Sequence, residues 1–182
     1  QNVYTTYAGQ GGIPLESFWR KTLFAAHLGD IKLLMSNDLT TESRVLLYRN
    51  IRERVERIAP FFRYDDDPYM VISAAGRTVW LLDGYTVSEW FPYSTTTHGL
   101  GNYMRNAVKV TVDAYDGTVH FYIADPADPL IRTYAQIFPA LLEPLEAMPA
   151  DLRAHIRYPE GLFRIQADMY AVYHMRDTQV FY

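Results

Sequence analysis

Valines at positions 108, 110 and 112 alternate with Lys109, Thr111 and Asp113, and this period of two dictates an extended strand with one apolar and one polar side. Asp116-Gly117 follows, a dipeptide that reverses a chain because Gly enters the left-handed backbone region without steric cost. Residues 108–114 and 118–123 therefore read as one β-hairpin. Residues 69–73 and 78–83, joined by Ala74-Ala75-Gly76-Arg77, read as another. Alternation of this kind predicts an antiparallel sheet covered on one face and wet on the other.

On both sides of the hairpins the period changes to that of a helix. Ser17 to Leu28 is an aromatic-rich segment with Pro14 suited to its first turn and Gly29-Asp30 to stop it. Leu47, Ile51, Val55, Ile58 and Phe62 recur at steps of four, four, three and four, which predicts a helix over 41–59, capped by Thr40 and ended by Pro60. Downstream, helices are expected over 130–138, 140–147, 150–156 and 160–175. Leu162, Ile165, Met169 and Val172 or Tyr173 form the buried stripe of the last. The order is helices, two hairpins, helices, without βαβ alternation. That predicts an α+β fold: a four-stranded antiparallel sheet with flanking helices packed on its apolar face. One domain is expected, with 1–64 mainly helical, 65–124 forming the two hairpins and 125–182 mainly helical. At 182 residues the chain can bury roughly two-thirds of its unfolded surface. It needs no metal to fold, and with no Cys it is not a disulfide scaffold.

The net charge of −4 is unevenly spread: residues 1–64 carry nine Lys/Arg against six Asp/Glu. The basic excess sits on Arg44, Arg49, Arg52, Arg54, Arg57 and Arg63, but Arg49/Glu53, Arg52/Glu56 and Glu53/Arg57 are spaced to pair along a helix. No aromatic stacking pattern interleaves the arginines, so nucleic acid is not an expected partner. Asp65-Asp66-Asp67 is the densest acidic cluster, and with Asp125 it supplies the candidate metal ligands. Its acids are adjacent, lack a Gly and precede Pro68, unlike a calcium loop, so a solvated turn is the default reading. Asp128 before Pro129 has the form of a helix cap. The five His show no metal-ligand spacing, and neither a nucleophile elbow nor a complete phosphate loop occurs. No catalytic residue and no cofactor are predicted.

Aromatic residues make up 15% of the chain, with 15 Tyr, 9 Phe and 3 Trp. Most should serve the core. Trp90, Phe91, Tyr93 and Tyr103 instead surround a Ser/Thr/Gly-rich loop over 92–101, where the period-two pattern has ended. They are the candidate interaction surface, since binding hot spots are enriched in Trp and Tyr. The competing expectation has Trp90 and Phe91 closing one end of the core.

Several segments together resemble one family: Asn2-Val-Tyr-Thr-Thr-Tyr, Asn50-Ile-Arg-Glu-Arg-Val, Asp67-Pro-Tyr, Asn102-Tyr-Met-Arg-Asn-Ala-Val-Lys-Val, Phe121-Tyr-Ile-Ala-Asp-Pro and Met148-Pro-Ala-Asp-Leu-Arg-Ala-His-Ile-Arg-Tyr-Pro-Glu. It is an uncharacterised bacterial family of large multi-pass membrane proteins, of cyanobacterial and actinobacterial type. The resemblance implies a parent with transmembrane helices, of which this chain is an extracytoplasmic piece. Its partners would then be the rest of the parent, the membrane through that missing region, and an envelope partner or ligand. Both chain ends read as cuts inside a longer polypeptide, and no stretch is apolar enough to span a membrane. The family's pattern departs here at Leu82-Asp83-Gly84-Tyr85 and in the loop 94–101. The functional expectation is a non-enzymatic module for assembly or partner binding. The alternative is a cation-dependent envelope enzyme using the acids at 65–67 or 113–128, or a peptidase-associated regulatory domain, whose strand–turn–strand Val112-Asp-Ala-Tyr-Asp-Gly-Thr-Val resembles.

Overall fold

The computed structural model describes residues 7–97 and 99–174, with side chains up to residue 171. The chain divides into two compact units, residues 1–49 with 115–118, and residues 50–114 with 119–182.

In the first unit, β1 (Ile13–Pro14) pairs antiparallel with β2 (Arg44–Val45). Between them lie α1 (Phe18–Leu28) and the single-turn α2 (Lys32–Met35). Ser17 caps α1 by accepting from the Arg20 N–H, and Gly29 ends it in the left-handed conformation at φ 68°. Pro14 is thus a strand residue rather than part of the helix's first turn. Arg44 likewise leaves the predicted 41–59 helix: its guanidinium donates to the Gln10 carbonyl at 2.9 Å. Asp116 ties this unit's turn, accepting from the Gln10 N–H at 3.1 Å and the Tyr7 hydroxyl at 3.2 Å.

The second unit is built on a six-stranded mixed sheet. Its strands are β3 (Arg63–Tyr64), β4 (Tyr69–Ile72), β5 (Thr78–Ser88), β6 (Tyr103–Asp113), β7 (Val119–Ile123) and β8 (Leu142–Pro144). This corrects the four-stranded, two-hairpin sheet. Both hairpins are present, but β5 runs for 11 residues, so two short strands share its outer edge: β4 beside Thr78–Leu81 and β3 beside Gly84 and Tyr85. Its other edge pairs with β6 from Val79 to Ser88, with a register shift between Gly84 and Thr86. At the far side β8 runs parallel to β7, linked through α4 (Pro129–Ile137), which forms the crossover missing from the sequence reading. The expected 140–147 helix is this strand followed by a 3₁₀ turn; a three-residue strand ending in Pro144 is too short to show alternation.

The sheet is covered on both faces, a second correction. On one side Leu82, Val108, Val110, Val112 and Phe121 pack with Val55 of α3 (Ile51–Ile58), Ala59 just after it and Ile131 of α4. On the other, Val79, Leu81 and Tyr122 meet Met148 and Leu152, the latter on the single-turn α5 (Ala150–Arg153). Helix α3 is capped by Asn50, ten residues after the expected cap: Asn50 accepts from the Glu53 N–H at 3.1 Å, and residues 44–45 are taken by β2. The final helix α6 runs Glu160–His174; the predicted end at Met175 and the stripe position 172 or 173 lie outside the described residues and side chains.

Candidate functional site

The polar side of β5 and β6 is not wet. Asp83 and Lys109 face each other in register, and each is less than one-tenth exposed. The Lys109 ammonium binds the Asp83 carboxylate and also donates to the Arg157 carbonyl at 3.4 Å. The Asn106 amide adds a bond to Asp83 at 3.1 Å. Burial lifts the Asp83 carboxyl above its ordinary range, against the pull of Lys109 and Asn106. A cleft of about 300 Å³ opens beside this pair, lined by Asp67, Tyr69, Asp83, Arg157, Tyr158, Glu160 and Phe163. The Arg157 guanidinium lies 3.6 Å over the Tyr69 ring.

The three adjacent acids diverge. Asp65 is buried and binds the Tyr85 hydroxyl, the Gly161 N–H at 3.0 Å and the Asp67 N–H at 3.2 Å. Burial opposes ionisation of Asp65, but these donors outweigh it and hold the carboxyl below its ordinary range. Burial and the neighbouring carboxylate push the Tyr85 phenol up. Asp66 is exposed and pairs with Arg52, while Asp67 reaches Arg157 at 3.4 Å. Asp65, Asp66 and Asp67 line one cleft of about 290 Å³ with Tyr85, Glu160 and Arg164, but their carboxylates do not converge. Among the described residues, no three His, Asp or Glu side chains gather as a metal would need. Asp125 closes a local turn by accepting from the Ala127 N–H at 3.1 Å.

Asp128 does more than cap α4. Its carboxylate accepts from the Ile131 N–H at 3.0 Å and the Thr86 hydroxyl at 2.7 Å, and it binds the Tyr103 hydroxyl. The aromatic candidates separate here. Tyr103 is half-buried and stacks on Phe91 at 5.3 Å between ring centres. Trp90 is 91% exposed and Tyr93 fully so. The loop that carries them is braced: Asn102 accepts from the Phe91 N–H at 3.0 Å and donates to the Phe91 carbonyl at 2.7 Å. Tyr93 has φ 60°, a left-handed backbone that L side chains adopt at a cost.

Asp83, Lys109, Tyr85 and Gly161 escaped the sequence reading. A lysine at the centre of a valine-alternating strand was the available signal, and it becomes informative only once Asp83 is placed opposite it.

No solved structure matches this chain. A UPF0182 protein of Pelotomaculum thermopropionicum is 56% identical over 182 residues, and one of Cupriavidus necator is 57% identical over 182. A third, from Geobacter sulfurreducens, is 55% identical over 181 residues. Each match covers 100% of this chain and 20% of the relative, so the chain spans one-fifth of the length of the relatives it matches. The family model for UPF0182, an uncharacterised protein family, matches residues 1–182, and to that family this chain belongs.

Proposed function

We propose that this chain is a non-enzymatic module of a longer membrane protein, lying outside the cytoplasm and binding a partner through the β5–β6 loop. The observation that carries this reading is the exposure of Trp90 and Tyr93 on a loop braced by Asn102. A large aromatic held in water on a fixed backbone gains nothing for the fold, whereas on contact it buries much apolar area at small entropic cost. The buried ionisable groups support the same reading. Asp65, Asp83 and Asp128 each receive several donors from distant segments, so their lone pairs hold the fold together. The membrane and extracytoplasmic parts of the proposal rest on the family resemblance.

The test of the binding surface is a photo-crosslinking residue at position 93 of the full-length protein in its native cell. An adduct that disappears with Trp90→Ala supports the proposal, and absence of any adduct overturns it. Location is tested separately, with a reporter active only outside the cytoplasm fused within this segment. Activity from a cytoplasm-restricted reporter alone would refute the placement.

A further inference from the structure

Among the described residues, helix α1 carries an unpartnered face. At 100° per residue, Phe18, Thr22, Ala26, Trp19 and Leu23 fall within an arc of about 140° that holds no charged side chain. Trp19 is 75% exposed, with Phe18 and Leu23 at 68%. Ile31, the residue before α2, and Met35, at its end, are exposed apolar residues of the same unit. The flank of α1 next to Phe18 is engaged: Ala25 is buried, and Lys21 donates to the Leu39 carbonyl at 3.1 Å. Among the described residues of this unit only Leu15 and Ala25 are buried. An 11-residue helix is marginal in water and takes its stability from burying an apolar face. Here the apolar arc is one that the described residues leave largely exposed.

We infer that the Phe18–Trp19–Leu23 face of α1, with Ile31 and Met35, is an intramolecular seam against an apolar surface in the remainder of the same polypeptide. The inference rests on the reading of this chain as a module of a longer protein. The relatives supply the occupant's source, since four-fifths of their length lies outside the matched region. The chemistry of the arc supplies its character. With no charge to pair, the face fits an uncharged apolar helix or sheet, and a polar partner surface would lose hydration without compensation.

The test places a photo-crosslinking residue at position 19 or 23 of the full-length protein, with position 42 as an exposed control in the same unit. The expected result is an adduct, mapped by mass spectrometry, to a segment of the same polypeptide outside these 182 residues. It should be lost in a Phe18→Ser/Met35→Ser variant and absent from position 42. An adduct only to residues 50–182, to a second copy, to another protein or to lipid overturns the inference, as does no adduct at all. Because the loop is probed independently at position 93, adducts from 19 and 23 with none from 93 leave the seam standing and sink only the proposed binding surface.

Discussion

Lys109 and Asp83 show what a buried ion pair costs and what it holds. Taking both charges from water is expensive, and the pair persists because Asn106 and the Arg157 carbonyl complete its hydrogen bonds. Removing one partner strands the other, so Asp83→Asn should destabilise the protein by about 3–5 kcal/mol in urea unfolding. Replacing both residues, as Asp83→Leu/Lys109→Met, should recover most of that loss; a double variant as weak as the single one would refute this account. Asp65 acts through pH. Its carboxyl is held below the ordinary value, so its stabilising contribution is complete above the unfolded pKa of about 4 and is lost as pH falls through the folded one. Asp65→Asn should flatten the acid side of a stability–pH profile relative to wild type. Parallel profiles below pH of about 4 would show that Asp65 is not the titrating group.

At the scale of elements, caps and turns were the legible features, and covered faces were not. Gly29, Asp128 and the turn at Asp116-Gly117 stand where their local chemistry places them, whereas Ser17 is the cap of α1 rather than the start of the helix and Asn50 replaces Thr40. Asp128 is both a cap and the acceptor for the fully buried Thr86. Asp128→Ala should therefore cost more than an ordinary cap, about 2–4 kcal/mol, while Asp128→Asn, which still accepts, should cost less. Equal midpoint shifts for the two variants would contradict this. The misread elements share a cause: their partners are remote. Arg44–Val45 is a strand only because Ile13–Pro14 lies beside it, and Leu142–Pro144 only because β7 offers an edge. Lys109 and Thr111 look like solvent-facing residues until Met148 and Leu152 are seen to cover that side of the sheet. Among the candidate residues, the four aromatics were legible as neighbours around one loop, but not that Phe91 and Tyr103 stack together while Trp90 and Tyr93 stand clear.

Across the whole molecule, burial is lopsided. Both hydrophobic clusters belong to residues 50–114 and 119–182, with Val55, Ala59, Ala107, Val108, Val110 and Ile131 fully enclosed. Hydrogen exchange of the 182-residue chain should follow that division. Amides of β5 and β6 should exchange only on global unfolding, while those of α1 and α2 should exchange through local opening at much lower free energy. Uniform protection across both units would argue against it.

The Asp65 carboxylate joins points far apart along the chain: Tyr85 is 20 residues away and Gly161 is 96. Closing so long a ring is entropically slow, so the docking of α6 onto Asp65 belongs late on the folding route, after β5 and β6 have paired. A contact made after the transition state governs departure rather than arrival. Loss of the Asp65 carboxylate should thus steepen escape from the native state and leave refolding nearly unchanged, a signature confined to the unfolding limb of a chevron plot.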